Sequence, residues 1–116
     1  MKNIKRLFQE KISDEEKVKI RRSLKKYIFK FTTPIQIYLY GSILSEKFDP
    51  YSDVDVLIIY KDEMEATQSI KKLQENRSHL KLDFPIEFVC VSKDEFKKKS
   101  QIGGLYFVIA QEGEVI

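Results

Sequence analysis

Asp53 and Asp55 stand two residues apart at the head of an apolar run, Val56-Leu57-Ile58-Ile59, that reads as a β-strand. Side chains alternate along a strand, so the two carboxylates point to one face of the sheet. Like charges at that spacing repel, and a divalent cation between them removes the penalty. Nine residues lie between this Ser52-Asp53-Val54-Asp55 motif and Gly41-Ser42, a corner that leaves another apolar strand and forms a cradle for phosphate. A phosphate cradle beside a metal-binding pair implies chemistry on a nucleoside triphosphate.

A third acid would complete a two-metal site. Glu87 lies inside the apolar run Phe84-Pro85-Ile86-Glu87-Phe88-Val89, facing away from Phe84, Ile86, Phe88 and Cys90 and alongside Val89 and Val91. A charge in so apolar a strand asks for a purpose, which favours Glu87 over the neighbouring Asp83, a residue suited to a turn. Mg²⁺ suits such hard-oxygen donors, and two ions about 3.5–4 Å apart could hold both oxygens of an in-line displacement. An isolated Asp-x-Asp has a plainer reading as turn chemistry, with Ser52 or Asp53 bonding nearby backbone. Gly41-Ser42, the loop length and Glu87 together favour the metal reading.

The elements that must position these residues follow from capping and periodicity. Ser13 and Glu16 form a capping box for a helix over Asp14–Phe31, with Val18, Leu24, Tyr27, Ile28 and Phe31 as its buried stripe. Before it, Ile4, Leu7, Phe8 and Ile12 suggest a shorter helix or arm. Strands are expected over 35–40, 53–60 and 84–91. A polar helix is expected from Asp62 to about Leu80, buried through Met64, Ile70, Leu73 and Leu80. Ser92 and Glu95 cap a short helix, Ile102 to Gln111 has helical spacing, and Gly113 ends it before an edge strand, Glu114 to Ile116. The order α-β-β-α-β-α-α gives an α/β (α+β) fold: a small mixed sheet with helices packed against it. Nothing marks a domain boundary, so residues 1–116 read as one domain, 1–31 its helical N-terminal segment and 35–116 its core.

Composition sets the class. A length of 116 residues, 42% hydrophobic and 34% charged, supports a globular core without disulfides. No apolar run approaches the ~20 residues that span a bilayer, and no signal-peptide stretch follows the basic Met1–Arg6 segment. The lone Cys90 reads as a core residue in a reducing, cytoplasmic compartment. The net charge of +3 is mild, and the basic clusters Lys17–Lys30 and Lys97–Lys99 read as solvated helix faces before they read as a nucleic-acid surface. Tyr38 and Tyr40 read as packing aromatics rather than base-stacking ones, and His79 as a surface residue. No Cys/His grouping suggests zinc.

Taken together, Gly41-Ser42, Ser52-Asp53-Val54-Asp55, Ile86-Glu87-Phe88 and the closing Gln111-Glu112-Gly113 resemble the nucleotidyltransferase superfamily typified by DNA polymerase beta, most closely its minimal branch. The resemblance covers about 35–116. It implies the nucleotidyltransferase fold, with Gly41 and Ser42 holding the triphosphate beside Ser52. Asp53 and Asp55 would ligate Mg²⁺, and Glu87 would ligate the ion that activates an acceptor hydroxyl. A nucleoside monophosphate, AMP from ATP in the leading reading, would pass to that hydroxyl with release of pyrophosphate. Small members act as antitoxins that modify a helical partner protein. The partner expected here is such a protein or a second copy of the chain, with RNA or a small antibiotic as other acceptors. The rival reading is a nucleotide-binding or partner-neutralising module without turnover. Two departures stand out: Ser45-Glu46 replaces the Arg-Gly pair of many relatives, with Lys47 a candidate substitute, and the third acid is Glu rather than the commoner Asp.

Overall fold

The computed structural model describes residues 12–116, so the arm expected over Ile4, Leu7 and Phe8 lies outside the described residues. Helix α1 (Asp14–Phe31) starts where the Ser13 hydroxyl accepts the Glu16 N–H at 3.2 Å, with Asp14, Glu15 and Glu16 favouring the positive end of the helix. It stops at Thr32, whose N–H and hydroxyl both donate to the Ile28 carbonyl. The buried stripe is Ile20, Leu24, Tyr27 and Ile28. Val18, expected in that stripe, is 48% exposed, because the buried face is centred on Leu24 and Val18 projects away from it around the helix.

Strand β1 (Gln36–Tyr40) runs antiparallel to β2 (Val54–Tyr60), and β2 runs parallel to β3 (Ile86–Ser92) across a crossover through α2 (Glu63–Glu75). After β3 come α3 (Lys93–Ser100), α4 (Leu105–Glu112) and the two-residue strand β4 (Glu114–Val115), antiparallel to β1. The sheet order is β3-β2-β1-β4, a mixed sheet.

Alternation sorts the strands onto two layers. Ile37, Leu39, Val54, Val56, Ile58 and Tyr60 join Leu24, Ile28 and Leu73 in the larger core, under α1 and α2. The Tyr27 hydroxyl ties those helices by donating to the Leu73 carbonyl at 2.6 Å. On the opposite face Leu57, Ile59 and Val91 meet Ile109 of α4, with Tyr38, Tyr40, Phe96 and Tyr106 around them. Asp55 and Glu87 share this second, smaller layer by parity.

The remaining differences from the sequence reading have local causes. Helix α2 ends at Glu75, where the Asn76 side chain donates to the Lys72 carbonyl and a short 3₁₀ turn, Arg77–His79, follows. The Arg77 guanidinium then donates to the carbonyls of Leu80, Leu82 and Phe84, gathering the approach to β3. Met64 is 71% exposed; Ala66, Ser69 and Leu73 carry the buried face instead. Helix α4 begins at Leu105 rather than Ile102 because Gly103 and Gly104 have φ of 85° and 83°, outside helical space. Strand β3 begins at Ile86, since Pro85 has no N–H to give the ladder, although its carbonyl accepts from Val54 N at 2.8 Å. Among the described residues, no helix is long and apolar enough to cross a membrane.

Candidate active site

The sheet register builds the site. Tyr40 pairs with Asp55 across β1 and β2, and Asp55 pairs with Glu87 across β2 and β3. Residues so paired put their side chains on the same face, so one row across three strands reads phenol, carboxylate, carboxylate. The Asp55 and Glu87 carboxyl groups lie within hydrogen-bonding reach of one another. Burial first, then the charges of Glu87 and Asp53 and the shared hydrogen bond, push the Asp55 carboxyl above the usual carboxylate range. The same surroundings act on Tyr40: burial, then the Asp55 and Glu87 charges, raise its phenol to about 12.

Directly beyond Tyr40 the chain turns into a single 3₁₀ turn, Gly41–Leu44. Gly41 has φ +81°, and a Cβ built there would lie 2.6 Å from Asp55 Oδ2. Glycine is therefore required twice, once by the backbone and once by the carboxylate lying against it. Ser45 closes the turn: its N–H and hydroxyl donate to the Ser42 carbonyl, and its hydroxyl accepts from Lys47 N.

The expected site residues take different places. Gly41, Asp55 and Glu87 come together in the row, and Ser42 stands next to Gly41 in the corner. Asp53, exposed just before β2, acts on Asp55 through its field. Ser52 has its hydroxyl bonded to Asp49, donating to Oδ1 and accepting from the backbone N–H, both at 3.1 Å, which shapes the loop. Lys47 is exposed on that loop. Glu87, expected as a charge buried in an apolar strand, is instead exposed, because β3 is an edge strand of the sheet. What separates it from the runner-up Asp83, exposed ahead of β3, is its place in the paired row.

The donors at the row fit a hard divalent cation. Two adjacent carboxylates repel unless a proton or cation lies between them, and Gly41 leaves space against Asp55 that any Cβ would fill. Among the described residues, no three His, Cys, Asp or Glu side chains are gathered into a metal cage. A partial protein shell is the usual condition for Mg²⁺, which takes one or two carboxylates and completes its octahedron with substrate phosphates and water.

Two neighbours of the site were not assigned to it from the sequence. Tyr40 packs against the smaller core as expected and, by its pairing with Asp55, also borders the acidic row. Lys17 carried no signal: α1 brings its ammonium to 3.0 Å from the Ser45 carbonyl, across 28 positions of sequence. Beside the corner, a cleft of about 490 Å³ opens between Gly41 and Leu44 on one side and Leu105 and Val108 of α4 on the other.

Residues 19–107 match the family model described as Polymerase beta, Nucleotidyltransferase. That span is well over half of the chain, and the chain belongs to this family. No curated protein and no solved structure matches it.

Proposed function

We propose that this member of the polymerase beta nucleotidyltransferase family moves AMP from ATP, with Mg²⁺, to a hydroxyl group on a partner protein, as the antitoxin of a toxin–antitoxin pair. The observation that carries the catalytic part of the reading is the close pairing of Asp55 with Glu87 against the glycine corner. Asp55 and Glu87 would hold Mg²⁺ with Asp53 alongside, and the ion when bound would neutralise the triphosphate and acidify the acceptor hydroxyl. Gly41 and Ser42 would seat the phosphates. In the transfer, the acceptor oxygen forms a bond to the α-phosphorus while the bond from that phosphorus to the α,β-bridging oxygen breaks. Pyrophosphate leaves, and the hydroxyl proton passes to a carboxylate of the row. Little covalent chemistry falls to the protein; alignment and charge compensation carry the rate. The apolar cleft between the corner and α4 offers room for the base or for the acceptor side chain.

The test is transfer itself. Purified full-length chain, ATP labelled at the α-phosphate, Mg²⁺ and a lysate of the source cells should yield labelled polypeptide and free pyrophosphate. The Asp53→Asn, Asp55→Asn double variant should yield neither. Label appearing in RNA would replace the acceptor class, and Mg²⁺-dependent ATP binding without pyrophosphate would make the protein a binding module. Absence of any nucleotide binding would overturn the reading.

A further inference from the structure

The turn that would seat a triphosphate carries no cation in its own sequence, residues 41–46, and Lys47, exposed on the loop, is the first to follow it. From Gly41 to Glu46 the only charged residue is Glu46, and the row beside it adds Asp53, Asp55 and Glu87. A strongly anionic triphosphate needs positive charge on the protein side as well as from a metal. Helix α1 delivers one. Lys17 Nζ donates to the Ser45 carbonyl at 3.0 Å, at the residue where the corner's turn closes, and lies 6.0 Å from the centroid of the buried Phe48 ring. An ammonium has three donors, and the Ser45 bond uses one of them.

The surroundings favour that placement. Arg21, one turn along the same helix face, is bidentate on Glu114, with 3.0 Å between Nη2 and Oε2, which fastens α1 to β4 and holds Lys17 against the corner. A cleft of about 560 Å³ separates α1 from Ile43 and Leu44, with Lys17 on its lining, so the ammonium has space to move beside the turn. Lys19, Lys25 and Lys26, by contrast, are exposed on the outer faces of α1. Asp14 and Glu112 line the same cleft and are the competing acceptors for Lys17.

We propose that Lys17 binds the outer phosphates of the nucleoside triphosphate, so that the N-terminal helix supplies the cation missing from the Gly41–Glu46 corner. This rests on the nucleotidyltransferase reading of the site. The experiment compares binding of MgATP and of inorganic tripolyphosphate to the full-length wild type, Lys17→Met and Lys17→Arg, with thermal melting of each. Met keeps an unbranched apolar side chain and removes the charge. Both ligands should bind Lys17→Met about tenfold more weakly, Lys17→Arg should bind within a few-fold of wild type, and the melting temperatures should stay together. The proposal is overturned if Lys17→Met binds both ligands as wild type does. It is equally overturned if Lys17→Met loses ATP but keeps tripolyphosphate, or if Lys17→Arg shows the same loss. A wild type that binds neither ligand removes the underlying reading as well, which separates that failure from failure of the lysine alone.

Discussion

Asp55 is held in a place that a carboxylate disfavours: half-buried, against the Gly41 backbone and within reach of the Glu87 carboxyl. Such a group serves a cation at the expense of the empty fold. Asp55→Asn should therefore raise the melting temperature by a few degrees while lowering nucleotidyl transfer by about 10²–10³-fold or more. A variant that lost both stability and activity would assign Asp55 an architectural role. Gly41 is the reciprocal case. Alanine there meets a φ of +81° and a 2.6 Å approach to Asp55 Oδ2. The backbone alone costs about 1–2 kcal/mol for a residue with a Cβ, and the contact adds to it. Gly41→Ala should unfold at lower denaturant and bind MgATP poorly. The double change Gly41→Ala, Asp55→Ala should recover part of the stability, because the clash partner is gone, and none of the binding.

The elements declare themselves through their ends. Ser13, Asp62 and Ser92 each accept a backbone N–H three residues on, and each opens a helix that the sequence already marked. Replacing Ser13 with Ala should cost about 1 kcal/mol in chemical denaturation. The alternation of β2 and β3 is equally plain and separates Asp55 from Val54 and Val56, and Glu87 from Ile86 and Phe88; the parallel register then brings the two acids into one row. Which apolar residues of a helix are buried was less plain, since periodicity gives a stripe and tertiary contact gives its centre. Val18 and Met64 fell outside and Ile20 and Ala66 inside. Helical spacing from Ile102 concealed a later start for α4, because Gly103 and Gly104 take positive φ values. Parts of the site made by distant segments left no local trace. Lys17 at Ser45 is one, and Arg21 with Glu114 is another, joining positions 93 apart. That ion pair is partly exposed, so Glu114→Gln should cost only about 1 kcal/mol. In a double-mutant cycle with Arg21→Met, coupling of that size would identify a tie between α1 and β4 and not a source of global stability.

At the scale of the whole molecule, the site is a local debit carried by two well-filled layers. The larger core holds α1 and α2 against one face of the sheet, and the smaller one pins α3 and α4 over the other, leaving the acidic row at the rim of the second layer. Linkage turns this into a signed prediction. The folded chain raises the Asp55 pKa above its unfolded value, so between those two values the folded state binds more protons than the unfolded one. The contribution of Asp55 is thus fully present below the ordinary carboxylate range and is lost as pH rises through the raised folded value. Wild type and Asp55→Asn should melt close together in acid. They should separate with increasing pH, the wild type becoming the less stable. Adding MgATP at neutral pH should reverse their order. A ligand at one hundred times its dissociation constant stabilises the folded state by about 2.7 kcal/mol, on the order of 10 °C for a domain of this size. Wild type should gain that shift and Asp55→Asn should gain little. If both rose equally with MgATP, nucleotide would be held without the acidic row, and the row would lose its claim to the chemistry.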